Sequence, residues 1–203
     1  MIRRRHVSLI LAGCLALFVA RAAWAGPPTD QLKAFLDGVT KSLENPALTG
    51  DGKAKERRAA VRRMADHIFD FSETAKRSLA GHWQDRTDKE RQEFVMLFGD
   101  LLERSYFSEI DLYGGGEIRY GRQDVDGDFA KVSKTMMTKQ GNELEVDYHL
   151  LRQGDRWLVY DFVVGGVSLI SNYRTQFNKA IRTSSYSELV KKLKTKQEES
   201  DRN

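Results

Sequence analysis

A chain of 203 residues with 33 lysines and arginines against 29 aspartates and glutamates carries a formal net charge of +4. Four of the basic residues, Arg3, Arg4, Arg5 and Arg21, stand in the first 25 positions, which hold no acid, so the remainder has 29 of each sign and is formally neutral; charge is then no argument for nucleic-acid binding. Cys14, the one cysteine, lies in the same leader, which excludes a disulfide framework or a thiolate metal site from the rest of the chain.

The leader reads as an export signal. Arg3 to Arg5 make a positive start, and Val7 to Ala20 is an apolar run too short to span a bilayer. Ala23-Trp24-Ala25 fits the small-x-small rule for cleavage. The expectation is removal of residues 1–25 and a single periplasmic domain over residues 26–203. Leu11-Ala12-Gly13-Cys14 also reads as a lipoprotein box that would acylate Cys14, but the apolar run continues through Leu15 to Ala20, which favours simple export.

Helices come next. Thr29 can cap a first helix carrying Leu32, Phe35, Leu36, Val39 and Leu43 at helical spacing, up to Asn45-Pro46. Val61, Met64, Ala65 and Ile68 stripe a second, from about Lys53 to Phe69. Its opposite side, with Lys55, Arg58 and Arg62, is a solvated face or a docking surface. Ser72 can start a short third helix ending near Gly81. Thr87-Asp88-Lys89-Glu90 has the form of a capping box. It opens a long helix with Phe94, Leu97, Phe98, Leu101, Leu102 and then Tyr106, Phe107 and Ile110, stopped by Gly114-Gly115-Gly116.

Four strands follow, over Glu117–Asp124, Phe129–Thr138, Glu143–Arg152 and Trp157–Val164. They are separated by short glycine-containing turns that favour consecutive antiparallel hairpins. Val146, Tyr148 and Leu150 alternate with Glu145, Asp147 and His149, so the third strand has one wet face. The fourth is apolar on both faces. Simple alternation places Trp157, Val159 and Val163 on one and Leu158, Tyr160, Phe162 and Val164 on the other. Ser168 can cap a helix carrying Ile170, Tyr173, Phe177 and Ile181. Ser185 and Glu188 form a second capping box before Leu189, Val190 and Leu193, and the charged stretch 194–203 is expected to fray. The fold class is α+β, helices packed around a four-stranded antiparallel sheet with an apolar cavity between them.

Catalytic chemistry is hard to find. Apart from His6 in the leader, the histidines are His67, His82 and His149, with neither an H-E-x-x-H pattern nor a close pair, so no metal is expected. Gly166-Val167-Ser168-Leu169-Ile170 lacks the second glycine of a nucleophile elbow. Asp161 interrupts the most apolar strand and needs a hydrogen-bond partner, with a structural role as the default. Arg174 is either a surface arginine or a guanidinium at a pocket mouth facing a phosphate.

The segment Trp157-Leu-Val-Tyr-Asp-Phe-Val-Val-Gly-Gly-Val-Ser-Leu-Ile-Ser-Asn-Tyr-Arg-Thr-Gln-Phe177 resembles the toluene-tolerance (Ttg2D/MlaC-like) periplasmic phospholipid-binding family. Phe69-Asp70-Phe71, Leu79-Ala-Gly-His-Trp83, Thr87 to Phe94 and Leu101 through Tyr106 add to the resemblance, which runs from about Gln31 to Leu193. Two departures stand out: Gly165 where the family has Glu, and Leu79-Ala80-Gly81 where it has Leu-Gly. The resemblance implies a lipid carrier and not an enzyme, with no cofactor and the bound lipid as cargo. It also implies partners: an outer-membrane lipoprotein complex and an inner-membrane ABC transporter with an MCE-domain subunit. A hopanoid-like cargo, a small α+β enzyme and an envelope scaffold with a filled core are the competing readings. The residues expected against the acyl chains are Tyr106, Phe107 and Ile110 on the long helix, Val146, Tyr148 and Leu150 on the third strand, Val159, Phe162 and Val164 on the fourth, and Tyr173 and Phe177 on the helix after the sheet, with Arg174 at the mouth.

Overall fold

In the computed structural model, residues 27–45, 47, 53–107, 118–137 and 141–201 are described. The expected leader and cleavage site, with Cys14, Ile110 and the expected stop at Gly114-Gly115-Gly116, lie outside them. No helix among the described residues is long and apolar enough to cross a membrane.

Helix α1, Pro28–Glu44, starts with proline at its first position, where the missing N–H costs nothing. Thr29 is therefore inside the helix and not its cap. Its backbone N–H (3.0 Å) and hydroxyl (2.5 Å) both donate to Gln123 Oε1, which ties α1 to the sheet. Helix α2, Ala54–Ile68, packs along α1. Helix α3, Phe71–Leu79, starts one residue before Ser72 because Asp70 takes the cap: its carboxylate accepts from Glu73 N at 2.8 Å, at the positive end of the helix. A 3₁₀ turn, Ala80–Trp83, leads on. The Thr87–Glu90 capping box is present and opens helix α4, Asp88–Leu102. Where one unbroken helix was expected, a π turn follows over Glu103–Phe107.

The sheet is a meander of β1 Ile118–Asp126, β2 Phe129–Met137, β3 Glu143–Gln153 and β4 Arg156–Val164, each antiparallel to the next. It has a fifth strand that the pattern did not announce, β5 Val167–Ser168. Gly165 (φ +55°) and Gly166 (φ +82°) make a two-residue hairpin turn that side chains enter only with strain, and it folds Val167 back onto Val164. A two-residue strand is too short to show any alternation.

Ser168 caps helix α5, Leu169–Thr183, accepting from Ser171 N at 3.0 Å. Ser185 accepts from Glu188 N at 3.1 Å at the start of helix α6, Tyr186–Asp201. Fraying from position 194 is not what the structure has. Lys194 reaches Glu93 of α4 at 2.6 Å, Gln197 donates to Asp100, and the helix runs on to Asp201.

Two hydrophobic cores result. One is purely helical, built from α3 to α6 around Phe94, Phe98, Tyr173, Phe177 and Tyr186. The other joins α1 and the end of α2 to one face of the sheet, around Leu32, Ile68, Val132, Leu150 and Val159. Phe162 of β4 packs against both.

One correction concerns which residues share that face. Pairing runs Tyr148↔Phe162 and His149↔Asp161, then jumps to Leu150↔Val159. Tyr160 is the extra residue of a β-bulge, and an extra residue exchanges the faces of everything beyond it. Trp157 and Val159 therefore join Phe162 and Val164 on the inner face instead of opposing them.

Candidate functional site

The inner face of the sheet is the only described surface that gathers most of the expected residues. Across β1 to β4, its rows pair Tyr120 with Lys134, Lys134 with Val146, and Val146 with Val164. The next row pairs Val132 with Tyr148 and Tyr148 with Phe162. Leu32, Val132, Leu150 and Val159 are fully buried, and Met136, Lys134 and Val146 on the same face are buried as well, whereas Ile118, Leu144, Phe162 and Val164 are only partly covered. Phe35, Leu36 and Phe69 edge the same cluster from the helices. These partly covered apolar side chains stand beside a close-packed floor, a lining of the kind that takes apolar ligands.

The expected residues divide into groups. Val146, Tyr148, Leu150, Val159, Phe162 and Val164 share this face, the first four of them buried. Tyr173 and Phe177 are buried in the helical core, with rings 5.0 and 5.1 Å from that of Phe98. Arg174 is exposed on α5 and donates to Ser171 Oγ at 3.0 Å. The backbone of Tyr106 and Phe107 belongs to the π turn, and Ile110 is not among the described residues.

Two polar residues on the inner face escaped the sequence reading. Lys134 is 4% exposed, its ammonium 5.2 Å from the Tyr148 ring centre, and no hydrogen bond or ion pair reaches it among the described residues. Burial depresses its pKa to about 8. Beside it on β1, the hydroxyl of Tyr120 is buried without a hydrogen-bond partner among the described residues. Burial first, then the nearby Asp37 and Tyr148, push its pKa up to about 12. The signal for Lys134 was parity: Ala130, Val132, Lys134 and Met136 alternate with Lys131, Ser133 and Thr135.

Other candidates resolve structurally. Asp161 is 7% exposed and accepts from Ser168 Oγ at 2.6 Å and from Ile170 N at 3.1 Å, locking the start of α5 onto β4. His149 stands 3.8 Å from it on the outer face. Arg62 is not a free docking cation: it bonds Asp66 at 3.0 Å, Asp100 at 3.2 Å and Glu103, and lies over the Phe71 ring at 5.1 Å. A groove of about 530 Å³ between α4 and α6 is lined by Arg62, Glu93, Met96, Leu97, Asp100, Lys194, Gln197 and Glu198, apart from the residues that the sequence singled out for the acyl chains. Among the described residues no three His, Cys, Asp or Glu side chains converge to hold a metal.

Residues 33–195 match the sequence model of the family described as MlaC protein. The chain belongs to the MlaC family. A curated relative, the intermembrane phospholipid transport system binding protein MlaC of Haemophilus influenzae, is 25% identical over 99 residues, which is 46% of this chain and 46% of that one. The chain thus matches less than half the length of that relative. The fold is that of a phospholipid-binding protein from Ralstonia solanacearum solved in complex with a phospholipid, at a TM-score of 0.74 and 22% identity over 84% of this chain and 96% of that one.

Proposed function

We propose that this MlaC-family protein is a periplasmic carrier that takes up a phospholipid's acyl chains against the inner face of the sheet. The cargo passes between an outer-membrane lipoprotein complex and an inner-membrane ABC transporter with an MCE-domain subunit. The observation that carries this reading is the set of partly covered apolar side chains on the inner face, Ile118, Leu144, Phe162 and Val164, in a protein of this family. A two-chain lipid has about thirty methylenes worth ~0.8 kcal/mol each out of water, so crossing an aqueous gap unaided costs on the order of 20 kcal/mol. A soluble wall of apolar side chains removes most of that cost. The reading is of a carrier and not a catalyst, since the one buried acid of β4, Asp161, is spent on Ser168 and Ile170.

The test is organic extraction and mass spectrometry of protein purified from the periplasm, for the wild type and Val164→Trp. A filled interior overpacked by tryptophan loses about 1–3 kcal/mol or more, whereas an open wall accepts the ring and expels the chain. The expected result is a two-chain phospholipid on the wild type and less than a tenth as much on a variant that unfolds at the urea midpoint of delipidated wild type. Wild-type protein without extractable lipid, or a folded variant with undiminished lipid, would overturn the reading. A polycyclic lipid in the extract would replace the cargo class.

A further inference from the structure

Two polar groups on an otherwise apolar wall call for an explanation that core packing does not supply. Lys134 and Tyr120 are register partners on adjacent strands. Lys134 is 4% exposed, and among the described residues the face of the Tyr148 ring is the one group its ammonium meets. The Tyr120 hydroxyl is buried and unpaired among the described residues. Natural interiors hydrogen-bond such groups almost without exception, because each one left unpaired costs about 1–3 kcal/mol, and more if charged. An apolar side chain at 134, matching Val132 and Met136, would close the floor without that cost. Both groups are donors. Lys134 has no acceptor capacity, and burial together with Asp37 and Tyr148 keeps the Tyr120 phenol protonated.

We propose that Lys134 and Tyr120 form an internal anchor on the wall of the lipid site that donates to an anionic oxygen of the cargo. The chemistry is an ammonium and a phenol hydroxyl converging on one oxyanion, with the Tyr148 ring as the third side. A phospholipid phosphate and a fatty-acid carboxylate both satisfy it. Losing one partner of a charged pair held away from water leaves the other stranded, which is costly. The anchor therefore sets how deep the cargo sits and selects anionic over neutral lipids of equal chain length. It rests on the carrier reading, since without a lipid on this face there is nothing to anchor.

Delipidated wild type, Lys134→Met and Tyr120→Phe would be titrated with three probes: dioleoylphosphatidylglycerol, oleate and dioleoylglycerol, the last offering chains without an anion. The expected result is that the wild type prefers at least one anionic probe. Lys134→Met binds that probe at least tenfold more weakly with its dioleoylglycerol affinity unchanged, and Tyr120→Phe moves the same way by a smaller factor. Loss for phosphatidylglycerol assigns the anchor to the phosphate, and loss for oleate alone assigns it to a carboxylate. Unchanged anionic affinity in Lys134→Met would overturn the anchor while leaving the carrier standing. No binding of any probe by the wild type would remove both. Methionine is the apolar isostere of the lysine stem, and Tyr120→Phe deletes one oxygen, so each variant supplies a folded protein if the other does not.

Discussion

At the scale of single residues, Lys134 has a stability signature separate from ligand binding. Desolvation lowers its pKa from 10.5 to about 8. Between those values the unfolded chain holds a proton that the folded chain has released, so stability rises with pH across that window, and the folded state is most penalised below it. Lys134→Met removes the penalty. In lipid-free protein the variant should be the more stable at pH 7 by up to about 3 kcal/mol, the gap closing toward pH 10.5. The other groups at this corner are Tyr120, Tyr148 and Asp37 of α1. Burial keeps both phenols protonated through the window, and all three are common to both proteins, so they cancel in the difference. Urea unfolding at pH 7, 8.5 and 10 measures the gap, and a gap constant with pH would mean that the ammonium finds an acceptor. Ala80 is the complementary case. It sits at φ +48°, a region that favours glycine, where the family's pattern has Leu-Gly. Ala80→Gly should raise stability by about 1 kcal/mol, read as a higher urea midpoint at unchanged slope.

At the scale of elements, the Thr87 box opens the helix that carries Phe94 and Phe98 into the helical core. Thr87→Ala frees the Glu90 N–H at the first turn and should cost about 1 kcal/mol, seen as a lower thermal midpoint with lipid binding intact. Such boxes were legible because their signal is local: a hydroxyl, a carboxylate three residues on, then apolar periodicity. The hairpin turns were legible for the same reason, with Gly127, Gly141 and Gly154 all at positive φ. The bulge at Tyr160 was not. In a strand apolar on both faces, slipping the alternation by one residue exchanges one apolar side chain for another, and only the register against β3 shows it. Lys134 hid for the opposite reason: β2 has Lys131 only three residues before it, and a second lysine looks like ordinary solvated charge until parity places it beside Val132. The partners of Arg62 were also out of reach, because Asp100 and Glu103 come to it from another helix.

At the scale of the molecule, the two cores differ in what completes them. The helical core closes on itself, with Phe94, Phe98, Tyr173 and Phe177 in mutual ring contact. The sheet core is fully buried at Leu32, Val132, Leu150 and Val159 and left partly covered at Ile118, Leu144, Phe162 and Val164, where the cargo would add the missing apolar contacts. Ligand bound only to the folded state stabilises it by RT ln(1 + [L]/Kd), about 2.7 kcal/mol at a hundredfold excess over Kd. That gain should not spread evenly, because local opening is governed by local packing. Comparing lipid-loaded with delipidated protein by amide hydrogen exchange tests this. Protection should fall on delipidation at the start of β1, the start of β3 and the end of β4, while α4 around Phe94–Phe98 and α5 around Tyr173–Phe177 keep theirs. Phe162 packs on both cores and marks the boundary, so β4 should lose protection beyond Phe162 and retain it at Val159. A uniform loss would mean that the cores open as one cooperative unit and that lipid is not held at this end of the sheet. A loss confined to α5 would move the site to Tyr173, Arg174 and Phe177.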